Sequence, residues 1–146
     1  MRVFLDANVL VSVLNKEYPL FPYSSRILSL ADQFRYQLYT TPICLAIAFY
    51  FAEKKSGTSL AKQKINLLSS KLHIASVDSD TVTQAVSDLS VMDFEDGLEY
   101  YSALQHDCKF IVTEDSDGFY FSEIPVYDCQ KFLDQVVFPA LNSPRA

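Results

Sequence analysis

Basic residues are scarce in this 146-residue chain: 12 Lys and Arg stand against 18 Asp and Glu, for a net charge of −6. That balance argues against a protein that grips nucleic acid through a broad positive surface. Histidine and cysteine are also few, at 2 and 3. Cys44, Cys108 and Cys129 are odd in number, widely spaced and set among apolar residues. With no Cys-x-x-Cys, they read as small core hydrophobes in a reducing compartment rather than as zinc ligands or disulfide partners. No apolar run is long enough to span a bilayer; the longest covers residues 42–52, about half the length required. At the amino terminus a charge, Asp6, interrupts the first apolar run too early for a signal peptide. Repeats, linkers and low-complexity segments are absent as well. These absences predict a soluble, cytoplasmic protein with no membrane association.

What is present is a chain with 49% apolar residues, enough for one domain over residues 1–146 with a sizeable core. Residues 3–8 read as a buried strand whose carboxyl end delivers Asp6, and residues 110–115 repeat the device with Asp115. A short helix at 8–14 is broken at 18–23. Helical spacing then runs over 23–34, with Ile27, Leu28, Leu30, Ala31 and Phe34 on its apolar face. A strand is expected at 37–40. Pro42 opens a helix whose nearly all-round apolar surface predicts burial. Residues 59–69 form a further helix with Leu60, Ile65, Leu67 and Leu68 turned inward, and 72–77 a strand. Asp78 or Ser79 caps a helix running to about residue 89, and Asp93 caps one over 94–105. Short strands at 110–113 and 125–127, a final helix from Asp128 and a frayed tail at 142–146 complete the pattern. Strands alternating with helices imply a three-layer α/β/α domain around a central, mostly parallel sheet.

The chemistry-bearing residues are acids. Asp93 and Asp96 fall in Asp-Phe-Glu-Asp, and Asp115 and Asp117 in Thr-Glu-Asp-Ser-Asp, with Asp6 at the end of the first strand. Ligands of open α/β sheets sit at the carboxyl ends of strands. Two strand-end acids and one at a helix start, brought to one rim, repel each other unless a hard cation such as Mg²⁺ or Mn²⁺ joins them. Each acid also has a plainer use. Asp6 alone serves equally as a helix cap, Asp93 caps more readily than it catalyses, and Asp96 with Glu99 at i+3 would fit a solvated helical face.

The order Leu-Asp-Ala-Asn at 5–8, Asp-Phe-Glu-Asp-Gly-Leu at 93–98 and Ile-Val-Thr-Glu-Asp at 111–115 resembles the PIN domain family, over essentially the whole chain. Within it the chain is most similar to small single-domain members that include VapC-type toxins. The resemblance implies a PIN-like fold and a metal-dependent endoribonuclease, with an antitoxin protein as partner, in which Asp6, Asp96 and Asp115 are the catalytic and metal-holding acids. It implies that Asn8 supports Asp6 and that Thr113 lines the same rim, with Asp93, Glu99 and Asp117 as supporting groups. Relatives often carry an aspartate directly before the phenylalanine of the last loop, where Gly118 precedes Phe119 here, so Asp117 is shifted by one. Relatives also carry a glutamate in the helix opened by Pro42, and the alignment puts Ile47 there. Glu53, six residues on, is rotated by about 240° and cannot substitute.

The departure at Ile47 sets the competing readings. One is a Mg²⁺- or Mn²⁺-dependent ribonuclease weakened by the missing acid, with RNA as substrate and a homodimer as a possible assembly. Another is a degenerate domain that binds RNA or a protein without cutting. A third, an aspartyl-phosphate enzyme built on Asp6, is disfavoured by Asn8, which stands where that pattern wants a second aspartate. Of the basic cluster at 54–71, Lys54 and Lys55 are the candidate phosphate contacts, against the alternative of a solvated helical face.

Overall fold

The computed structural model describes residues 1–139, so the tail at 142–146 lies outside the described residues. Val3, Phe4 and Leu5, all without solvent exposure, make an unbroken apolar run of the kind that only a strand covered on both faces can use. They form β1 (Arg2–Leu5), followed by α1 (Ala7–Leu14), α2 (Phe21–Ser29), β2 (Gln37–Thr40), α3 (Pro42–Ser56) and α4 (Thr58–Ser69). Then come β3 (His73–Ile74), α5 (Ser79–Ser87), α6 (Phe94–Gln105), β4 (Phe110–Val112), β5 (Val126–Tyr127) and α7 (Cys129–Phe132), which continues as a π-helical turn over Leu133–Val137.

The five strands pair in the order β3-β2-β1-β4-β5, every pairing parallel. Flanking helices give the three-layer α/β/α arrangement. The chain winds outward from β1 to β2 and β3, then crosses back to β4 on the other side. Strand order therefore reverses at β1, and the crevice outside the carboxyl ends of β1 and β4 is where such sheets bind ligands. Both acids of the strand-end device, Asp6 and Asp115, emerge there.

Several local expectations need correction. The second helix begins at Phe21, because proline at its first turn, Pro22, is tolerated where the amide has no partner anyway. It ends before Phe34, whose side chain is fully exposed rather than part of the apolar face. Helix α3 is not buried all round. Its inward stripe is Cys44, Ala48 and Ala52 at i, i+4 and i+8, small residues that let it lie close to α1, while Tyr50 and Phe51 are exposed. In α4 the inward face is Ala61, Ile65 and Leu68; Leu60 and Leu67 point outward. The strand expected at 72–77 shortens to two residues at the sheet edge, and the helix after it stops at Ser87 rather than 89. Gly57, at φ +84°, closes α3 by donating its N–H to Glu53 O at 2.8 Å and turns the chain into α4, a conformation that disfavours side chains. Among the described residues no helix is long and apolar enough to cross a membrane.

Candidate metal centre

Asp6 ends β1 and serves two purposes. Its Oδ1 accepts from the Ala7 amide at 2.7 Å, the N-cap contact of α1. Its Oδ2 accepts from Thr113 Oγ1 at 2.7 Å and, weakly, from Asn8 Nδ2 at 3.5 Å. Asn8 Nδ2 also donates to Thr113 Oγ1 at 3.1 Å, and its Oδ1 accepts from the Glu114 amide at 3.1 Å. Thr113 Oγ1 in turn accepts from the Asp115 amide at 3.1 Å. This network ties the end of β1 to the end of β4, so the strand pairing that aligns Leu5 with Val112 also fixes the position of Asp6 relative to Asp115.

Asp93 caps α6, its Oδ1 accepting from the Asp96 amide at 3.1 Å, and so sets where the first turn carrying Asp96 begins. Asp6, Asp96 and Asp115 line one open cavity of about 450 Å³, with Ala7, Asn8, Val11, Glu17, Ile47, Phe51, Asp93 and Glu95. Asp96 is held up to about 7, first by desolvation and then by Asp93, Asp6, Asp115 and Glu95. Glu95 is raised as well, by burial, Asp93 and Asp6. The lining includes six carboxyl side chains and no basic one. A set of convergent oxygen donors whose charges repel fits a hard divalent cation.

Sequence reasoning left three residues without a role at the cavity. Glu17 reaches the rim from the segment after α1, a position with no periodic or motif signal. Glu95 sits inside the quoted acidic motif yet carries no mark that distinguishes it from a surface acid. Gly118 is the third: a Cβ there would lie 2.8 Å from Asp115 Oδ2 and 3.1 Å from Asp96 Oδ2. The two carboxylates share the space that a side chain would fill, which gives the Gly118 departure a physical sense.

Other expectations come out differently. Glu99 is not on a solvated face; it is wholly buried beside Cys44, a free core cysteine whose thiol donates to it. Asp117 is exposed on a short 3₁₀ turn and does not line the cavity. Ile47 does line it, so α3 presents an apolar side chain where the alignment placed it. Lys55 bonds to Asn15 O and Lys64 to Leu14 O at 3.1 Å, both at the carboxyl end of α1, and Lys71 pairs with Asp32 at 3.0 Å. Lys54 stands 5.4 Å from the Tyr50 ring. Neither Lys54 nor Lys55 lines the cavity.

The all-parallel sheet brings acids from β1, α6 and the end of β4 together at its switch point. The PIN domain sequence profile matches residues 2–117, and the chain belongs to the PIN domain family. Ribonuclease VapC1 of Aquifex aeolicus (strain VF5) is 26% identical over 141 residues, spanning 92% of this chain and 94% of that protein. Similar solved structures include VapBC2 from Rickettsia felis bound to a promoter DNA fragment, with TM-score 0.67 and 17% identity over 88% of this chain and 98% of that one. VapBC-1 of nontypeable Haemophilus influenzae gives TM-score 0.68 at 16% identity over 90% and 100%. VapC20 of Mycobacterium tuberculosis, a Sarcin-Ricin loop cleaving toxin, gives 0.65 at 16% over 80% and 92%.

Proposed function

We propose that this chain is a metal-dependent endoribonuclease of the PIN type and the toxin of a toxin-antitoxin pair. The observation that carries the reading is the convergence of Asp6, Asp96 and Asp115 on one cavity from three separate elements. Asp6, Asp96 and Asp115 would hold Mg²⁺ or Mn²⁺, with Asp93 and Glu95 adding negative potential at the rim. When bound, such an ion would neutralise charge on a scissile phosphate and lower the pKa of a water so that it can be deprotonated for attack. The chain's own residues do the positioning. Asn8 and Thr113 fix the Asp6 carboxylate through hydrogen bonds, and the Asp93 cap fixes the turn bearing Asp96. Phe51, part of the cavity wall and 43% exposed, offers a face on which an unpaired base can stack. Lys54, beside the Tyr50 ring and outside the acidic rim, would be the basic side chain to meet a substrate phosphate. An antitoxin partner is proposed on the likeness to the VapBC structures; a dimer of this chain and a cytoplasmic location are proposed with it.

A second reading, a domain that binds RNA or protein without cutting it, is favoured by Ile47 alone, which gives the cavity apolar surface where a further acid would tighten the metal. Incubating a mixed RNA pool with wild type and Asp96→Asn, in Mg²⁺ and in Mn²⁺, separates the two. We expect cleavage by wild type, stronger in Mn²⁺, and none by the variant. Equal background products from both overturn the nuclease and leave the binder.

A further inference from the structure

Below the cavity floor lies a second set of donors. Glu99 sits one turn beyond Asp96 on α6 and points inward, with no solvent exposure. From α3, equally buried, Cys44 Sγ donates to Glu99 Oε1 at 3.0 Å. Glu99 Oε2 has no hydrogen-bond donor. Ligand atoms of Asp6, Cys44 and Glu99 all lie within 4.8 Å of one another. Two carboxyl groups thus lie close together in the interior, with a thiol as the third member.

A buried acid of this kind is costly, and a methionine or leucine of similar volume would fill the same space without that cost. Burial, then the Asp6 charge, push Glu99 up to about 10, and burial raises the Cys44 thiol. The thiol gives this pair one weak hydrogen bond and leaves Glu99 Oε2 without a donor. Two oxygens and one sulfur at this spacing match a different occupant.

We propose that Asp6, Cys44 and Glu99 form an inner cation site, sharing Asp6 with the rim site, for a divalent ion of borderline softness such as Zn²⁺ or Co²⁺. Residues 6, 44 and 99 are too far apart in sequence to produce a zinc-binding spacing, so the fold alone creates the set. The inner site brings in from α6 a carboxylate that α3, with Ile47, does not offer. The proposal rests on the reading of Asp6 as a cation ligand and concerns a separate position.

Co²⁺ alone, added to the metal-free full chain, tests it through the near-ultraviolet thiolate-to-cobalt charge-transfer band. We expect the band in wild type and in Asp96→Asn, which leaves the inner donors intact. It should vanish in Cys44→Ala, and Glu99→Gln should weaken Co²⁺ binding about 10- to 100-fold. Melting curves of each variant without metal show that the fold persists; both replacements are close in size to the native residue. No band in wild type, or a band that survives Cys44→Ala, overturns the inner site. An Mn²⁺-induced melting shift that is lost in Asp96→Asn while no cobalt band appears overturns the inner site and leaves the rim reading standing. The reverse result removes the rim reading only.

Discussion

At the scale of single residues, the cavity is defined as much by what is missing as by its acids. Gly118 has no Cβ because Asp115 Oδ2 and Asp96 Oδ2 occupy the space beside it. In Gly118→Ala the two carboxylates must part by several tenths of an ångström, and we expect Mn²⁺ affinity measured by calorimetry to fall at least several-fold with little change in melting temperature. Unaltered affinity would mean that the two acids do not act on one ion. Ile47 gives the complementary case. Because it faces the cavity, Ile47→Glu adds a carboxylate where a cation can neutralise it, and metal binding should tighten. A lower melting temperature without tighter binding would show the new charge to be buried and unpaired instead, at a cost of several kcal/mol.

At the scale of elements, α6 is the part that must be placed most closely. Gly97 lets it approach the preceding segment: a Cβ there would lie 2.6 Å from Val91 Cγ1 and 3.2 Å from Ala85 Cβ. Gly97→Ala should therefore destabilise the protein by about 1–3 kcal/mol, read from denaturant unfolding, despite the better helix propensity of alanine. Sequence showed this element well, since Asp93 is a cap with the expected contact and 94–105 carries the expected helix. The apolar runs of β1 and β4 were legible for the same reason, but both strands stop short of the acids: β1 ends at Leu5, with Ala7 and Asn8 already in α1, and β4 ends at Val112. Elements at the periphery were not. Leu60 and Leu67 are apolar in a helix packed chiefly against α3, and chain composition does not say which leucines that neighbour reaches. Glu99 was legible as a helical neighbour of Asp96 but not as a buried one. Its burial depends on Cys44 and Asp6, 55 and 93 residues away in the chain, and no local pattern encodes that.

At the scale of the whole molecule, the acids make stability depend on pH in a definite direction. Asp96, raised to about 7, and Glu99, raised to about 10, keep protons in the folded state that the unfolded chain releases from about pH 4. Their contribution to stability is thus present at low pH and lost as pH rises through those folded values. Melting temperature in a chelator should decline between about pH 5 and about pH 8, and Glu99→Gln should reduce the decline. A melting temperature that rises over this interval in wild type, through these groups, would contradict the burial and crowding of the acids. With Mn²⁺ present the trend should flatten or invert, since the ion binds the ionised carboxylates and gains affinity as pH rises.

The central claim is that carboxylates from β1, α6 and the end of β4 hold one divalent ion. A ligand bound only by the folded protein raises stability by an amount set by its concentration over its dissociation constant. The most direct measurement is the Mn²⁺-induced change in melting temperature of wild type, Asp6→Asn, Asp96→Asn and Asp115→Asn, each compared with its own metal-free baseline. The account predicts a clear upward shift in wild type and a shift near zero in all three variants. A shift of wild-type size in Asp96→Asn or Asp115→Asn would place the ion elsewhere and contradict it.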